Sequence, residues 1–269
     1  MPENDANQGF LARWKALPVD SVPKTIFVAV ALCFFCSMVV SAAAVSLRPV
    51  QEINKNRDKQ INILQVAGRY EPGVNVAEAF AAFEPRVVDL RAGTFTDAFD
   101  AATFDDRAAS ADPELSDALD DDPAGIGRQG RYATIYLLRD EAGALDKVIL
   151  PLYGYGLWST LYGFIALEAN GNDIYGLQFY DHAETPGLGA EVDNPRWRAL
   201  WNGKKLRDDA GDLKITVAKG VPSAAMRDFH IDALAGATLT ATGVDNLVRF
   251  WMGENGFAPF LENLKAGAL

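Results

Sequence analysis

Three hydroxyls and a glycine surround the predicted start of a helix late in the chain. Residues 232–240 read DALAGATLT, and Thr238, Thr240 and Thr242 follow the glycine closely. A helix N-terminus offers free backbone N–H groups and the positive end of the helix dipole, which together bind phosphate. One threonine is enough to cap a helix. A threonine here could therefore act as an ordinary cap or be esterified to a bound phosphate.

Two charged residues could interact with the predicted helix start. Lys219, in the sequence VAKG, could place a positive charge beside a bound phosphate, or it could be an ordinary surface lysine. Asp245 stands three residues after Thr242, which is a loose form of the capping box and predicts that this threonine caps the helix.

Residues 182–189, HAETPGLG, predict a tight turn that exposes backbone N–H groups. Thr185 adds a hydroxyl, and His182 and Glu184 add groups that can carry protons. The stretch is equally compatible with a plain polar turn.

Residues 153–164, YGYGLWSTLYGF, mix glycine with five aromatic residues. Glycine lets another group approach the backbone closely, and exposed aromatic rings offer a stacking surface for a planar ligand. An aromatic core punctuated by glycine is the alternative. From residues alone, the chain offers a possible pocket for a phosphate and an aromatic ring.

The elements around these stretches predict an α+β fold. Alternating patterns predict strands at 131–139, 147–153, 163–169, 174–181 and 213–218. Helices are predicted at 48–66, at 76–83, after the Asn194-Pro195 pair and at 240–253. Hairpins with intervening helices indicate one domain with a mainly antiparallel sheet and flanking helices. The acidic stretch 105–123 is expected to be a solvated excursion or a flexible insert, with a metal-binding carboxylate cluster as the alternative.

Residues 25–47 carry no charge and are long enough to span a membrane. A cleaved signal peptide is the alternative, but its apolar region would be about 7–15 residues. We expect a tail at 1–24, a single transmembrane helix at 25–47 and a soluble domain at 48–269. Both cysteines, Cys33 and Cys36, lie within the span and are read as ordinary apolar residues.

The net charge of −11 argues against a nucleic-acid partner, because phosphate backbones require lysine and arginine. Lysines and arginines flank the span on both sides, so charge does not choose its orientation and favours only slightly a cytoplasmic location for the C-terminal side. Large domains can be translocated regardless of flanking charge. A hydrolase is disfavoured, because the soluble part has no cysteine and no G-x-S-x-G motif.

The chain resembles the C-subunit family of the Na+-translocating NADH:quinone reductases. The segments that carry the resemblance occur in the same order along nearly the whole chain, and they read LRPVQE, DKQINIL, GYGLWSTLYGF, HAETPGLGAEVDNPRW, DALAGATLT and FWMGENGFAPFL. The G-subunit of the related ferredoxin:NAD oxidoreductase complex shares ETPGLG and the Gly-Ala-Thr motif. GLWSTLYGF and the C-terminal segment favour the quinone-reductase family.

The resemblance implies that Thr238, in the motif D-x-x-[Ser/Thr]-Gly-Ala-Thr, carries covalent FMN through a phosphodiester made by a flavin transferase. Ala235 departs from the usual serine or threonine, which leaves a non-redox assembly protein without flavin as an alternative. Thr240 and Thr242 are then expected to serve the helix. The other residues expected at the cofactor site are Thr185, Leu188, Lys219, Gly236 and Ala237.

By the same resemblance, no catalytic acid, base or metal is needed, since the flavin carries the electrons. The partners would be the membrane, the other subunits of the respiratory complex and the transferase. The chain would sit in the cell inner membrane with its soluble domain in the periplasm.

Overall fold

The computed structural model describes Trp14, Pro18 and residues 21–269, so most of the predicted tail at 1–24 lies outside the described residues. The described chain forms two compact units, residues 1–56 and 57–269. The division predicted at 47/48 concerns the membrane boundary and stays a prediction.

Helix α1 runs without a break over Val22–Val66 and contains both the uncharged stretch and the predicted helical continuation. By length and composition it is able to cross a membrane. Its last turns belong to the second unit, where Ile63 and Leu64 are completely buried. These turns are therefore part of the core of the soluble domain.

The second unit adds ten strands and five further helices to the residues described. The strands are β1 (Phe83–Asp89), β2 (Thr94–Thr96), β3 (Ser116–Ala118), β4 (Arg128–Gly130), β5 (Tyr132–Arg139), β6 (Leu145–Tyr155), β7 (Thr160–Glu168), β8 (Ile174–Asp181), β9 (Thr216–Ala218) and β10 (His230–Asp232). The α-helices are α2 (Val76–Phe80), α3 (Asp106–Ala111), α4 (Pro195–Arg198), α5 (Thr238–Trp251) and α6 (Ala258–Ala266). Short 3-10 turns cover Gly189–Asp193, Ala199–Trp201 and Ala224–Phe229.

The main sheet has six strands in the order β2-β1-β5-β6-β7-β8, and every neighbouring pair is antiparallel. Two apolar clusters form, one that includes the end of α1 and one that includes α5. Because both clusters draw on the central strands, these strands are apolar on both faces. The α+β class with a mainly antiparallel sheet is confirmed.

The predicted helix at 76–83 is shorter than expected. Helix α2 ends at Phe80, and the chain enters β1 at Phe83. Pro85 cannot continue a helix, because it lacks the backbone N–H, and the extended chain pairs with β5 instead. The predicted N-cap is confirmed, since Asn194 accepts a hydrogen bond from the backbone N–H of Arg196 at 2.9 Å.

The interpretation of 105–123 as a flexible insert is wrong, because the stretch forms a helix and a strand. The alternative of a solvated excursion holds in part, since only Ala109 and Ser116 of this stretch are buried. Asp105 caps α3 by accepting from the backbone N–H groups of Arg107 and Ala108. Strand β3 pairs with β4. Asp117 lies against the guanidinium groups of Arg91 and Arg131. Asp105 is thus satisfied by local backbone N–H groups and Asp117 by arginines from other segments. The described residues contain no group of side chains suited to hold a metal ion.

We predict that Leu64→Ala, in a chain shortened to residues 57–269, lowers the free energy of unfolding by about 2–5 kcal/mol. Leu64 has no solvent exposure and packs in the cluster with Ile149 and Phe164. The matched control is Leu239→Ala, because Leu239 is exposed. Urea unfolding followed by circular dichroism measures both. Equal midpoints for the two variants would contradict a structural role for the end of α1.

Candidate functional site

Helix α5 begins without a side-chain cap. Ala237 occupies the N-cap position and Thr238 is the first helical residue. Among the described residues, no hydrogen bond uses the backbone N–H of Thr238, Leu239 or Thr240. The Thr238 side chain is exposed. The start of a 14-residue helix therefore presents free donors, a positive dipole end and one accessible hydroxyl.

A lysine lies directly beside that hydroxyl. The Lys219 Nζ donates to Thr238 Oγ1 at 2.6 Å, although the two residues are 19 positions apart. An ammonium next to free amide N–H groups makes a local region of positive potential at the helix end.

Two side chains of α5 fix the segment that carries Lys219. The Asp245 carboxylate accepts from the backbone N–H of Val217 at 2.6 Å, and the Arg249 guanidinium donates to the backbone C=O of Ile215 at 2.9 Å. Residues 238, 245 and 249 lie on one side of the helix because their spacing matches its turns. The segment therefore runs along α5, and its next residues bring Lys219 to the helix start.

The three threonines have three different partners. Thr238 Oγ1 accepts from lysine, whereas the Thr242 hydroxyl donates to the backbone C=O of Thr238 one turn earlier, at 3.0 Å. Thr240 is fully buried and donates to Glu184 at 2.7 Å. The predicted capping box is wrong, because Asp245 is held by Val217. Thr240 likewise serves a distant turn, and not the helix end as expected.

Glu184 joins three segments. Its Oε1 accepts from the backbone N–H groups of Leu157 and Trp158 at 2.9 and 3.0 Å, and its Oε2 accepts from Thr240. Burial alone would raise the pKa of the Glu184 carboxyl, but these hydrogen bonds outweigh it and hold the pKa below its ordinary value. The stabilisation is present above the unfolded-state pKa of about 4.3 and is lost as the pH falls through the lowered value.

Most residues of the turn at 182–189 are exposed. Glu184 and Gly189 are buried, and His182 is half-buried. The Thr185 backbone C=O accepts from the N–H groups of Leu188 and Ala190, both at 3.1 Å, which closes the turn. His182 is tied to Asp193 at 2.9 Å. The Thr185 hydroxyl has no hydrogen bond among the described residues.

Leu188 reaches the turn that precedes α5. Gly236 has φ +75°, and a Cβ atom added there would lie 3.3 Å from the Leu188 side chain. Glycine adopts this left-handed conformation without cost. Ala235 is exposed beside it, at the position where the resembled motif has a serine or threonine.

Apolar side chains surround the helix start yet face solvent. Trp158 is 65% exposed and Leu239 is 62% exposed, and Tyr155 and Leu188 are also exposed. Phe164 of the same stretch is buried in the sheet, and Tyr153 and Tyr162 are half-buried. The stretch 153–164 therefore contributes both to the core and to an open apolar surface.

Sequence reasoning placed Thr238, Lys219, Leu188 and Gly236 in one site, and the structure brings them together. It did not predict that Glu184 connects three segments. It also did not predict that Asp245 and Arg249 hold the segment that carries Lys219. These hydrogen bonds join residues that are far apart in the sequence, so no local pattern of residues could have predicted them.

Comparison with known proteins supports a flavin site in this region. The family model for the FMN-binding domain matches residues 156–253. The C-subunit of the Na(+)-translocating NADH-quinone reductase of Pseudomonas aeruginosa is 50% identical over 256 residues, which cover 92% of this chain and 98% of that protein. The corresponding C-subunit of Yersinia pestis is 48% identical over 257 residues, covering 93% and 96%.

Solved structures agree. The crystal structure of Shewanella oneidensis NqrC matches with a TM-score of 0.74 at 36% identity, covering 79% of this chain and 99% of that one. The C-subunit of the Na(+)-translocating NADH-quinone reductase from Parabacteroides distasonis matches with a TM-score of 0.62 at 29% identity, covering 80% and 96%. The chain therefore belongs to the C-subunit family of the Na(+)-translocating NADH-quinone reductases.

Proposed function

We propose that this chain is the electron-carrying subunit of a sodium-translocating NADH:quinone reductase and bears FMN as a phosphodiester on Thr238. The observation that carries the proposal is the exposed Thr238 hydroxyl at the uncapped start of α5, with Lys219 Nζ 2.6 Å away. A flavin transferase would make the ester during maturation.

The residues fit the phosphate. A phosphodiester keeps about one negative charge, whereas a free phosphate monoester carries up to two. The free N–H groups of the first turn and the Lys219 ammonium supply hydrogen bonds and one positive charge. Because the helix needs no cap from Thr238, esterification of its hydroxyl breaks no hydrogen bond on which the helix start depends.

The surroundings fit the ring. Trp158, Leu188 and Leu239 expose apolar surface around the attachment point, which suits a planar, mainly apolar isoalloxazine. FMN supplies the electron chemistry when bound, and the protein anchors, orients and partly shields it. The exposed site leaves the ring open to redox partners within the complex, on the route to quinone.

The proposed location is the cell inner membrane, with α1 as the single span and the soluble domain in the periplasm. The apolar length of α1 supports the anchor. The periplasmic side rests on the motif resemblance, which outweighs a slight excess of flanking positive charge on the C-terminal side of the span, because large domains can be translocated regardless of flanking charge.

Thr238→Ala is predicted to remove covalent FMN altogether, because it removes the exposed hydroxyl at the first position of α5. Thr242→Ala is the matched control. Its exposed hydroxyl bonds only within the helix, so its loss should change stability by no more than about 0.5 kcal/mol and leave the flavin attached. Mass spectrometry of the peptide 228–249, after coexpression with the transferase, locates the adduct. An FMN adduct that survives in Thr238→Ala would sink the assignment.

Lys219→Ala is predicted to slow flavin attachment roughly fivefold, since an exposed charge-assisted contact contributes about 1 kcal/mol. Circular dichroism should stay unchanged. Lys265→Ala, at an exposed position on α6, is the control and should flavinylate at the normal rate. Equal rates for the two variants would remove Lys219 from the phosphate site.

A reporter that is active only in the periplasm, fused after Leu269, is predicted to be active. A reporter that is active only in the cytoplasm, fused at the same point, should be silent. The opposite pair of results would place the domain in the cytoplasm.

A further inference from the structure

We propose that Glu184 is the positioning residue of the flavin site, because it fixes the aromatic loop 156–159 relative to the first turn of α5. The inference rests on the proposed function. This one buried carboxylate sets the distance and orientation between the Thr238 hydroxyl and the exposed Trp158 side chain.

The two carboxylate oxygens of Glu184 accept hydrogen bonds from two different segments. Oε1 holds the loop through the backbone N–H groups of Leu157 and Trp158. Oε2 holds the helix through the Thr240 hydroxyl, two residues after Thr238. The carboxylate thus forms a short bridge from the exposed Trp158 to the residue that would carry the flavin.

The fold makes room for this carboxylate. Glu184 is only 5% exposed. A Cβ atom added at Gly156 would lie 2.6 Å from Oε1, and one added at Gly189 would overlap with Oε2. Both glycines belong to the segments that the carboxylate joins. A side chain at either position would push the loop or the turn away from it.

A second hydrogen bond supports the same alignment. The Ser159 hydroxyl accepts from the backbone N–H of Ala183 at 2.7 Å, which ties the aromatic loop to the turn that carries Glu184. Loop and turn therefore meet at two points, and Glu184 extends the connection to the first turn of α5 through Thr240. Further along, α5 contacts the same loop at Gly243, which packs against Tyr155 and Gly156. Aspartate at this position keeps the charge but is one methylene shorter, so it cannot serve both segments at once.

The test uses the full chain coexpressed with the flavin transferase, in three variants. Glu184→Asp keeps the charge and shortens the bridge. Thr240→Val keeps the shape and removes the donor to Oε2. Glu184→Gln keeps the length and restores part of the bonding. The control is Leu64→Ala, which destabilises the domain through the end of α1 and touches none of the three segments.

We expect the attachment rate to fall roughly 10- to 100-fold in Glu184→Asp and Thr240→Val, because a misplacement of about 1 Å has effects of this size. Emission per bound flavin should rise in both, since Trp158 would no longer be held beside the attachment point, where its indole could quench a bound flavin. Glu184→Gln should lie between these variants and wild type. Leu64→Ala should match wild type in emission although it unfolds at lower temperature.

Wild-type rate and emission in both Glu184→Asp and Thr240→Val would overturn the inference and leave the proposed function intact. Wild-type protein that carries no flavin would overturn the proposed function and this inference together. If Glu184→Asp fails to accumulate, Thr240→Val decides the question alone, because valine fills the same buried space. An equal change in emission in Leu64→Ala would reduce Glu184 to an ordinary stabilising residue.

Discussion

The site depends on one buried carboxylate that is satisfied from two sides. A charged group with little exposure is costly unless hydrogen bonds replace its lost water. Glu184 receives two backbone N–H groups and one hydroxyl, so its burial becomes a constraint on three segments at once. The aromatic loop, the glycine-rich turn and the start of α5 then have little freedom to move apart.

Helix α5 serves two purposes along its length. Its first turn exposes N–H groups and a threonine hydroxyl, while Asp245 and Arg249 further along hold the segment that delivers Lys219. Its opposite side is apolar, and Val244 and Leu247 are completely buried in the core. The helix is therefore packed firmly into the core, while the backbone N–H groups of its first turn have no partner among the described residues. The same helix therefore packs into the core along its length and carries the candidate site at its N-terminal end.

Sequence patterns predicted the central strands, the long N-terminal helix, Asn194 as a cap and the grouping of Thr238 with Lys219, because these rest on local periodicity or on motif resemblance. They failed where the structure depends on hydrogen bonds or ion pairs between residues that are distant in the sequence. The acidic stretch 105–123 folds because Arg91 and Arg131 and local N–H groups satisfy its carboxylates. Asp245 looks like part of a capping box, yet it binds a strand 28 residues away. Burial of Thr240 and Glu184 is likewise set by tertiary packing.

The proposal that FMN is attached to Thr238 through a phosphodiester is tested most directly by phosphorus NMR of the intact flavin-loaded chain across a pH series. A phosphodiester has no ionisation near neutrality, whereas a phosphate monoester titrates near pH 6. The account predicts one phosphorus resonance of the bound flavin, whose chemical shift stays constant between about pH 5 and 8. A resonance that titrates with a midpoint near pH 6 would show a free monoester and contradict it.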